Sequence, residues 1–289
     1  MRKGRPARSG PYRPGRRSLT VAAVNDLLER LRTFELRRPW AAPDILANRP
    51  YRLIILTTTG VIGVFAVLSA WFLFQIVYGN RVGIGVDFHQ YLDHVARWQA
   101  TGQLYLPHQL VGPTTVMDGD PLYPPTILWL LLPFTVLPEI LWWAIPLPIV
   151  LWTLIRLRPA PWTWPLLAIV ALWPRTPALI LYGNPGMWMV ALICLALWRP
   201  WAGPLILLKP SLAPYAMLGF GRRSWFIGLA IVVAASIPFG SLWLDYLTVL
   251  QNSHVPLSYS LLDLPLTLAP VIAFLGRRLE LDGTPRRPS

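Results

Sequence analysis

The stretch LIILTTTGVIGVFAVLSAWFLFQIVY, Leu53 to Tyr78, runs for 26 residues without a charge. About 20 such residues suffice to cross the hydrocarbon core of a bilayer. It follows a 52-residue hydrophilic leader and is too long for the apolar core of a signal peptide, so it reads as a first membrane span. Further apolar runs follow at 126–156, 161–182, 186–198, 203–220, 225–243 and 259–275. Only 13% of the chain is charged, about half the share in a soluble domain. The chain therefore reads as an all-α polytopic membrane protein.

The net charge of +13 does not point to nucleic acid. Thirteen of the 26 basic residues lie in positions 1–52, and Arg199, Arg222, Arg223, Arg277 and Arg278 mark the ends of apolar runs. This is the positive-inside distribution, and it sets a multi-pass protein in the plasma membrane with a cytoplasmic N-terminus. Residues 1–52 form a basic leader in which Val21, Val24, Leu28 and Leu31 keep helical spacing. Such a helix either lies on anionic lipids of the inner leaflet or is solvated and only fixes topology. The transmembrane domain spans 53–279, and residues 280–289 form a short polar cytoplasmic tail.

Prolines interrupt nearly every apolar run, among them Pro133, Pro138, Pro146, Pro174, Pro177, Pro210 and Pro214. Broken helices persist at membrane depth only where they line a cavity or pack on protein. Six to eight crossings are expected, some of them half-helices. The lone Cys194 sits in an apolar run and reads as a small buried residue.

Residues 80–123 then form the first extracytoplasmic loop, where Asp87, His89, Asp93 and His94 fall within eight positions. The spacing predicts a helix over 88–101 with Phe88, Tyr91, Leu92, Val95 and Trp98 on one side, lying in the outer interface and stopped by Gly102. Asp93 and Arg97, four apart, are placed for a surface ion pair. Asp87 stands where an N-cap is expected, with Gln90 three residues on, so a structural role competes with a chemical one. His89 and His94 have no acid at metal-ligand spacing, and no metal site is expected.

Four segments resemble glycosyltransferase family 87, membrane mannosyltransferases of the GT-C superfamily. They are Asp87 and Tyr91 followed by TGQLY (101–105), YPPTILWLLLPFTVLP (123–138) beginning at Tyr123, LYGNPGMWMVALICLAL (181–197) containing Asn184, and GPLILLKPSLAPYAMLGFGRRSW (203–225) containing Lys209. The resemblance spans roughly residues 60–255 and implies a GT-C-like helical bundle with broken helices and interfacial helices on the outer loop. It implies transfer of a hexose, in the family's habit mannose, from a polyprenyl-phosphate donor to a lipid or glycan acceptor, with no cofactor beyond that lipid-linked substrate. Asp87 matches the general base of such enzymes, acting with inversion at the anomeric carbon. Family members are commonly longer and tend to carry a second asparagine where this chain has Gly186, which implies a shortened member.

Lys209, ionisable within an apolar run, either meets the leaving phosphate or snorkels to an interface. Arg175 either joins it or ends a helix. Asn184 either holds a sugar hydroxyl or only completes a turn with Gly183. Asn252 and His254, in QNSHVPLSY (251–259), either line the acceptor side or belong to a solvated loop. Two other classes of function stay open: a transporter or flippase for a lipid or small solute, and a catalytically inactive membrane scaffold.

Overall fold

The computed structural model describes residues 49–79, 83–117, 119–160, 163–254 and 257–277. The expected leader helix and polar tail lie outside them. The chain divides into two units, Met1–Thr59 and Gly60–Ser289. What is described of the first is the start of one long helix, and the rest of the account concerns the second.

The helices in chain order are α1 (Arg49–Tyr78), α2 (Val86–Thr101), α3 (Pro107–Leu110), α4 (Leu128–Leu131), α5 (Leu141–Ala144), α6 (Pro146–Leu157), α7 (Trp164–Ala171) and α8 (Arg175–Tyr182). Then come α9 (Gly186–Trp198), α10 (Ala213–Ala216), α11 (Arg223–Ser236), α12 (Gly240–Asn252) and α13 (Leu257–Leu275). Two short strands, β1 (Thr114–Thr115) and β2 (Ser253–His254), pair in parallel, Thr114 with Ser253 and Thr115 with His254. Among the described residues the fold is all-α apart from this clip and an isolated bridge between Pro159 and Arg277.

Among the described residues, two helical stretches are long and apolar enough to cross a membrane, Arg52–Gln75 and Arg223–Asn252. Only 6% and 17% of their apolar windows are buried within the protein, so nearly all of that surface must meet an apolar surrounding. A third span arises if Trp164–Ala171 and Arg175–Tyr182, bent by 56°, are counted as one. The remaining apolar runs are shorter than expected. The run 126–156, for instance, divides into Pro125–Thr135 and Leu141–Leu157. Proline is the main cause: it removes an amide donor and clashes with the preceding turn, so most of these prolines stand at helix starts, although Pro265 and Pro270 lie inside α13.

Every such break frees carbonyl oxygens, which are costly to leave unpaired in an apolar setting. Side chains meet them. At the α7–α8 bend, Thr176 Oγ1 donates to Val170 O at 2.8 Å and Ser69 Oγ of α1 donates to Leu172 O. At the 3₁₀ turn Ile237–Phe239, which carries Pro238, Trp129 Nε1 donates to Ala235 O at 2.8 Å and Trp243 Nε1 to Ser236 O at 3.2 Å.

Residues 200–219 form an irregular hairpin instead of one continuous helix. One leg holds the 3₁₀ turns Pro200–Ala202 and Pro204–Leu208, and the other holds α10. Pro200 lies against Gly219, and Gly203 against the carbonyls of Ala216 and Leu218, so the tip falls at Lys209–Pro210. The legs pack on α9 through Met189, Ile193, Ala202, Ile206 and Ala216. Helix α9 descends about 20 Å over its length, and the first leg climbs back about as far at the steeper 3₁₀ rise.

Gly219 has φ +79°, and a Cβ there would lie 2.5 Å from Pro200 Cβ. Gly219→Ala is therefore expected to cost about 2–3 kcal/mol, from left-handed backbone strain and overpacking together. Thermal unfolding in detergent measures the loss, and hydrogen exchange should place it in residues 200–219.

Candidate functional site

Helix α2 begins two residues earlier than the spacing predicts. Gly85 is its N-cap in a left-handed conformation, and Asp87 sits inside the first turn. Asp87 is thus not a cap. Its Oδ2 accepts a 2.7 Å hydrogen bond from Asn184 Nδ2 across 97 residues of sequence. A carboxylate in a first turn also gains from the positive end of the helix dipole.

The partner is held at both ends. Asn184 is buried, and its Oδ1 accepts from Gly186 N at 2.8 Å, which leaves Nδ2 directed at Asp87. Asn184 follows Gly183, the left-handed residue that ends α8 with φ +74°. The terminal carbonyls of α8 are each met from outside. Trp142 Nε1 donates to Gly183 O at 2.8 Å, Trp143 Nε1 to Ile180 O at 2.6 Å, and Gly85 N to Leu181 O at 2.8 Å. A Cβ on Gly183 would stand 2.8 Å from Phe88 Cβ, so α2 packs directly on this turn. Phe88, Phe134, Trp142 and Trp188 form the aromatic core beneath it, with Phe134 and Trp142 ring centres 4.9 Å apart.

The apolar face of α2 is the one the spacing predicts, but it lies in this protein core and not bare in the outer interface. Tyr91, one turn after Asp87, meets the edge of Tyr123 with ring centres 5.5 Å apart. Lys209, at the hairpin tip, places its ammonium 5.6 Å from the centre of the Tyr123 ring, a cation–π distance. Tyr123 is held in turn by the buried Tyr105, whose hydroxyl donates to Tyr123 O at 2.9 Å. Burial pushes the Tyr105 phenol well up, so it stays a neutral donor. Tyr182, at the end of α8, feels the charges of both Arg175 and Asp87. Asp87, Asn184, Tyr91, Tyr123 and Lys209 thus form one linked cluster, with Arg175 coupled to it through Tyr182.

Asn252 and His254 stand elsewhere. Asn252 Nδ2 donates to Gln109 O at 2.9 Å, tying α12 to α3, and the exposed His254 forms part of the β1–β2 clip, its Nδ1 donating to Asn252 O. Both serve loop architecture. The Asp93–Arg97 pair also takes another form: Arg97 donates to His94 Nδ1 and, at 3.0 Å, to Leu104 O. Two residues beside the cluster are absent from the spacing argument. Glu139 Oε2 lies 3.5 Å from His89 Nε2, while His89 Nδ1 donates to Gly85 O. Glu139 is the only acid between residues 121 and 244, the one signal that singles it out. Tyr182 offers no such signal. Neither a protein-family model, nor a curated protein, nor a solved structure matches the chain.

The loop that carries Tyr123 is latched by His94. Its Nε2 donates to Gly119 O at 2.8 Å while its Nδ1 accepts from Arg97, so the ring is neutral. Burial, and then Arg97, lower its pKa from 6.5. The unfolded chain therefore binds the proton more readily: this contribution to stability is whole above 6.5 and is lost as pH falls below it. Thermal stability should drop on acidification through that range, and His94→Gln should flatten the dependence. Separately, Trp142→Phe keeps most of the packing but leaves Gly183 O unmet. It should cost about 1–3 kcal/mol in thermal unfolding.

Proposed function

We propose that the chain is a membrane glycosyltransferase of GT-C type that moves a hexose, in the family's habit mannose, from a polyprenyl-phosphate donor to a lipid or glycan acceptor on the extracytoplasmic face. The observation that carries the reading is the state of Asp87. It is half-buried at a helix start, freed from capping, and aimed by an amide that is itself fixed.

A sugar hydroxyl is a poor nucleophile, and a positioned carboxylate supplies typically 10²–10⁴-fold as general base. Asp87 takes the acceptor hydroxyl proton as that oxygen bonds to the anomeric carbon. The bond from that carbon to the lipid phosphate oxygen breaks on the opposite face, inverting the centre, and the phosphate leaves with the bonding pair. Asp87 then returns its proton to water. Lys209, reached through Tyr91 and Tyr123, offers the departing phosphate its charge, with Arg175 behind it. Asn184, with both ends of its amide engaged, positions Asp87.

The topology fits this use. Both long spans start at arginines, Arg52 in one and Arg222 with Arg223 in the other, and their far ends lead to the segments paired as β1 and β2. By the positive-inside rule that clip, with the Asp87 helix, faces outward in the plasma membrane. A transporter would gather polar groups around Lys209 at mid-membrane; here Lys209 is joined to the outer-loop tyrosines, which favours transfer.

Membranes bearing the protein are supplied with a radiolabelled polyprenyl-phosphate hexose. Asp87→Asn should lower transfer by about 10²–10⁴-fold, and undiminished transfer would remove the proposal. Asn184→Ala should lower kcat by about ten- to a hundredfold with little change in KM, as expected of a positioning residue.

A further inference from the structure

The end of the fold opposite Asp87 has a charge of the other sign. The acids whose side chains the structure describes are Asp87, Asp93, Asp120, Glu139 and Asp245. Glu139 lies beside Gly85, Asp120 is bonded to His108, and Asp245, in α12, acts on Tyr105, so these acids lie against the Asp87 helix or the loop that follows it. At the other end stand Arg156, Arg199, Arg222 and Arg223, all exposed, and none of the described acids pairs with them.

These arginines share one neighbourhood. Arg156 lies over Trp152 at 5.8 Å, and Trp152 meets Trp198 at 5.7 Å, next to Arg199. Pro200 then touches Gly219, and Arg222 N donates to Gly219 O. The four arginines therefore stand near the base of the hairpin whose tip is Lys209. Trp201 and Phe220 are exposed among them, and nothing lies within 4 Å of where a Gly221 side chain would begin. Large apolar side chains interleaved with unpaired guanidinium groups suit an amphiphile that carries an anion above an acyl chain.

We propose that the hairpin base, centred on Arg199, Arg222 and Arg223, is a binding site for the phosphate headgroup of an anionic phospholipid. The site is separate from the outer cluster, and the proposal does not depend on sugar transfer. Its occupant neutralises a cluster of like charges that none of the described acids pairs with. The lipid also bridges the two ends of the hairpin, since Arg199 precedes the first leg and Arg222 follows the second. Ligand that binds only the folded chain stabilises it by mass action, so occupancy should firm the structure that holds Lys209 in place.

The test uses the full chain in nanodiscs of phosphatidylcholine, with or without phosphatidylglycerol. Native mass spectrometry after transfer to detergent reads the retained lipid, and thermal unfolding reads the stabilisation. Phosphatidylglycerol should be retained in preference to phosphatidylcholine. Apparent affinity should fall roughly fivefold for each of Arg199→Gln, Arg222→Gln and Arg223→Gln. Arg52→Gln, an equal charge change in the other unit of the chain, should leave it within twofold. Equal retention of both lipids by the unsubstituted protein would overturn the proposal, whether or not the variants fold. So would an Arg52→Gln loss as large as that at the hairpin base, which would mean diffuse attraction without a site. Arg222→Lys, which keeps the charge but loses the planar fork, should retain an intermediate affinity.

Discussion

The architecture depends on one demand: a carbonyl oxygen released by a broken helix must find a donor where water is scarce. The chain has 31 prolines and so breaks its helices repeatedly, and it has 15 tryptophans. Five indole N–H groups, those of Trp129, Trp142, Trp143, Trp225 and Trp243, donate to main-chain carbonyls at or beside such breaks. An unmet buried acceptor costs about 1–3 kcal/mol, so these bonds decide whether a break is tolerated. Indole suits the task because it brings a large apolar body and a single donor with no acceptor to satisfy. The two compositional excesses are parts of one solution.

The same solution builds the cluster. Trp142 and Trp143 fix the end of α8, the fixed end sets Gly183 and Asn184, and Asn184 sets Asp87. Gly183 must lack a side chain because Phe88 arrives against it, so the helix bearing the carboxylate and the turn bearing the amide are locked as a pair. Precision at the acid is inherited from apolar packing two steps away. On the other side, an irregular hairpin lifts Lys209 to Tyr123, which a regular span continuing from α9 would not do.

Some of this was legible in the residues. The face of α2 and its stop at Gly102 follow from spacing and from the conformational freedom of glycine, and both are found. Asp87, Tyr91, Tyr123, Asn184 and Lys209 were legible as polar or aromatic residues out of place in an apolar chain. Their mutual arrangement was not. The Asp87–Asn184 bond joins residues 97 apart, and periodicity carries no information over that distance. The one-residue question of whether Asp87 caps its helix turned on Gly85, whose left-handed backbone took the capping position. Asn252 and His254 looked like site residues for their chemistry alone, but the clip between β1 and β2 uses them for connection. Among the described residues two or three stretches are long enough to cross alone, and prolines divide the other apolar runs into shorter helices.

The hairpin at 200–219 also constrains how the chain is made. It lacks the continuous main-chain bonding that lets a helix partition into lipid by itself. Its first leg rests on α9, and its second meets the Trp225 indole of α11 through Ala216 O. The segment can therefore enter the bilayer only after its neighbours on both sides have been released there, drawn in between them as a late insertion. The lysine at its tip then reaches Tyr123 only once that insertion is complete, so a chain stalled before α11 emerges would hold the carboxylate in place without the ammonium beside Tyr123.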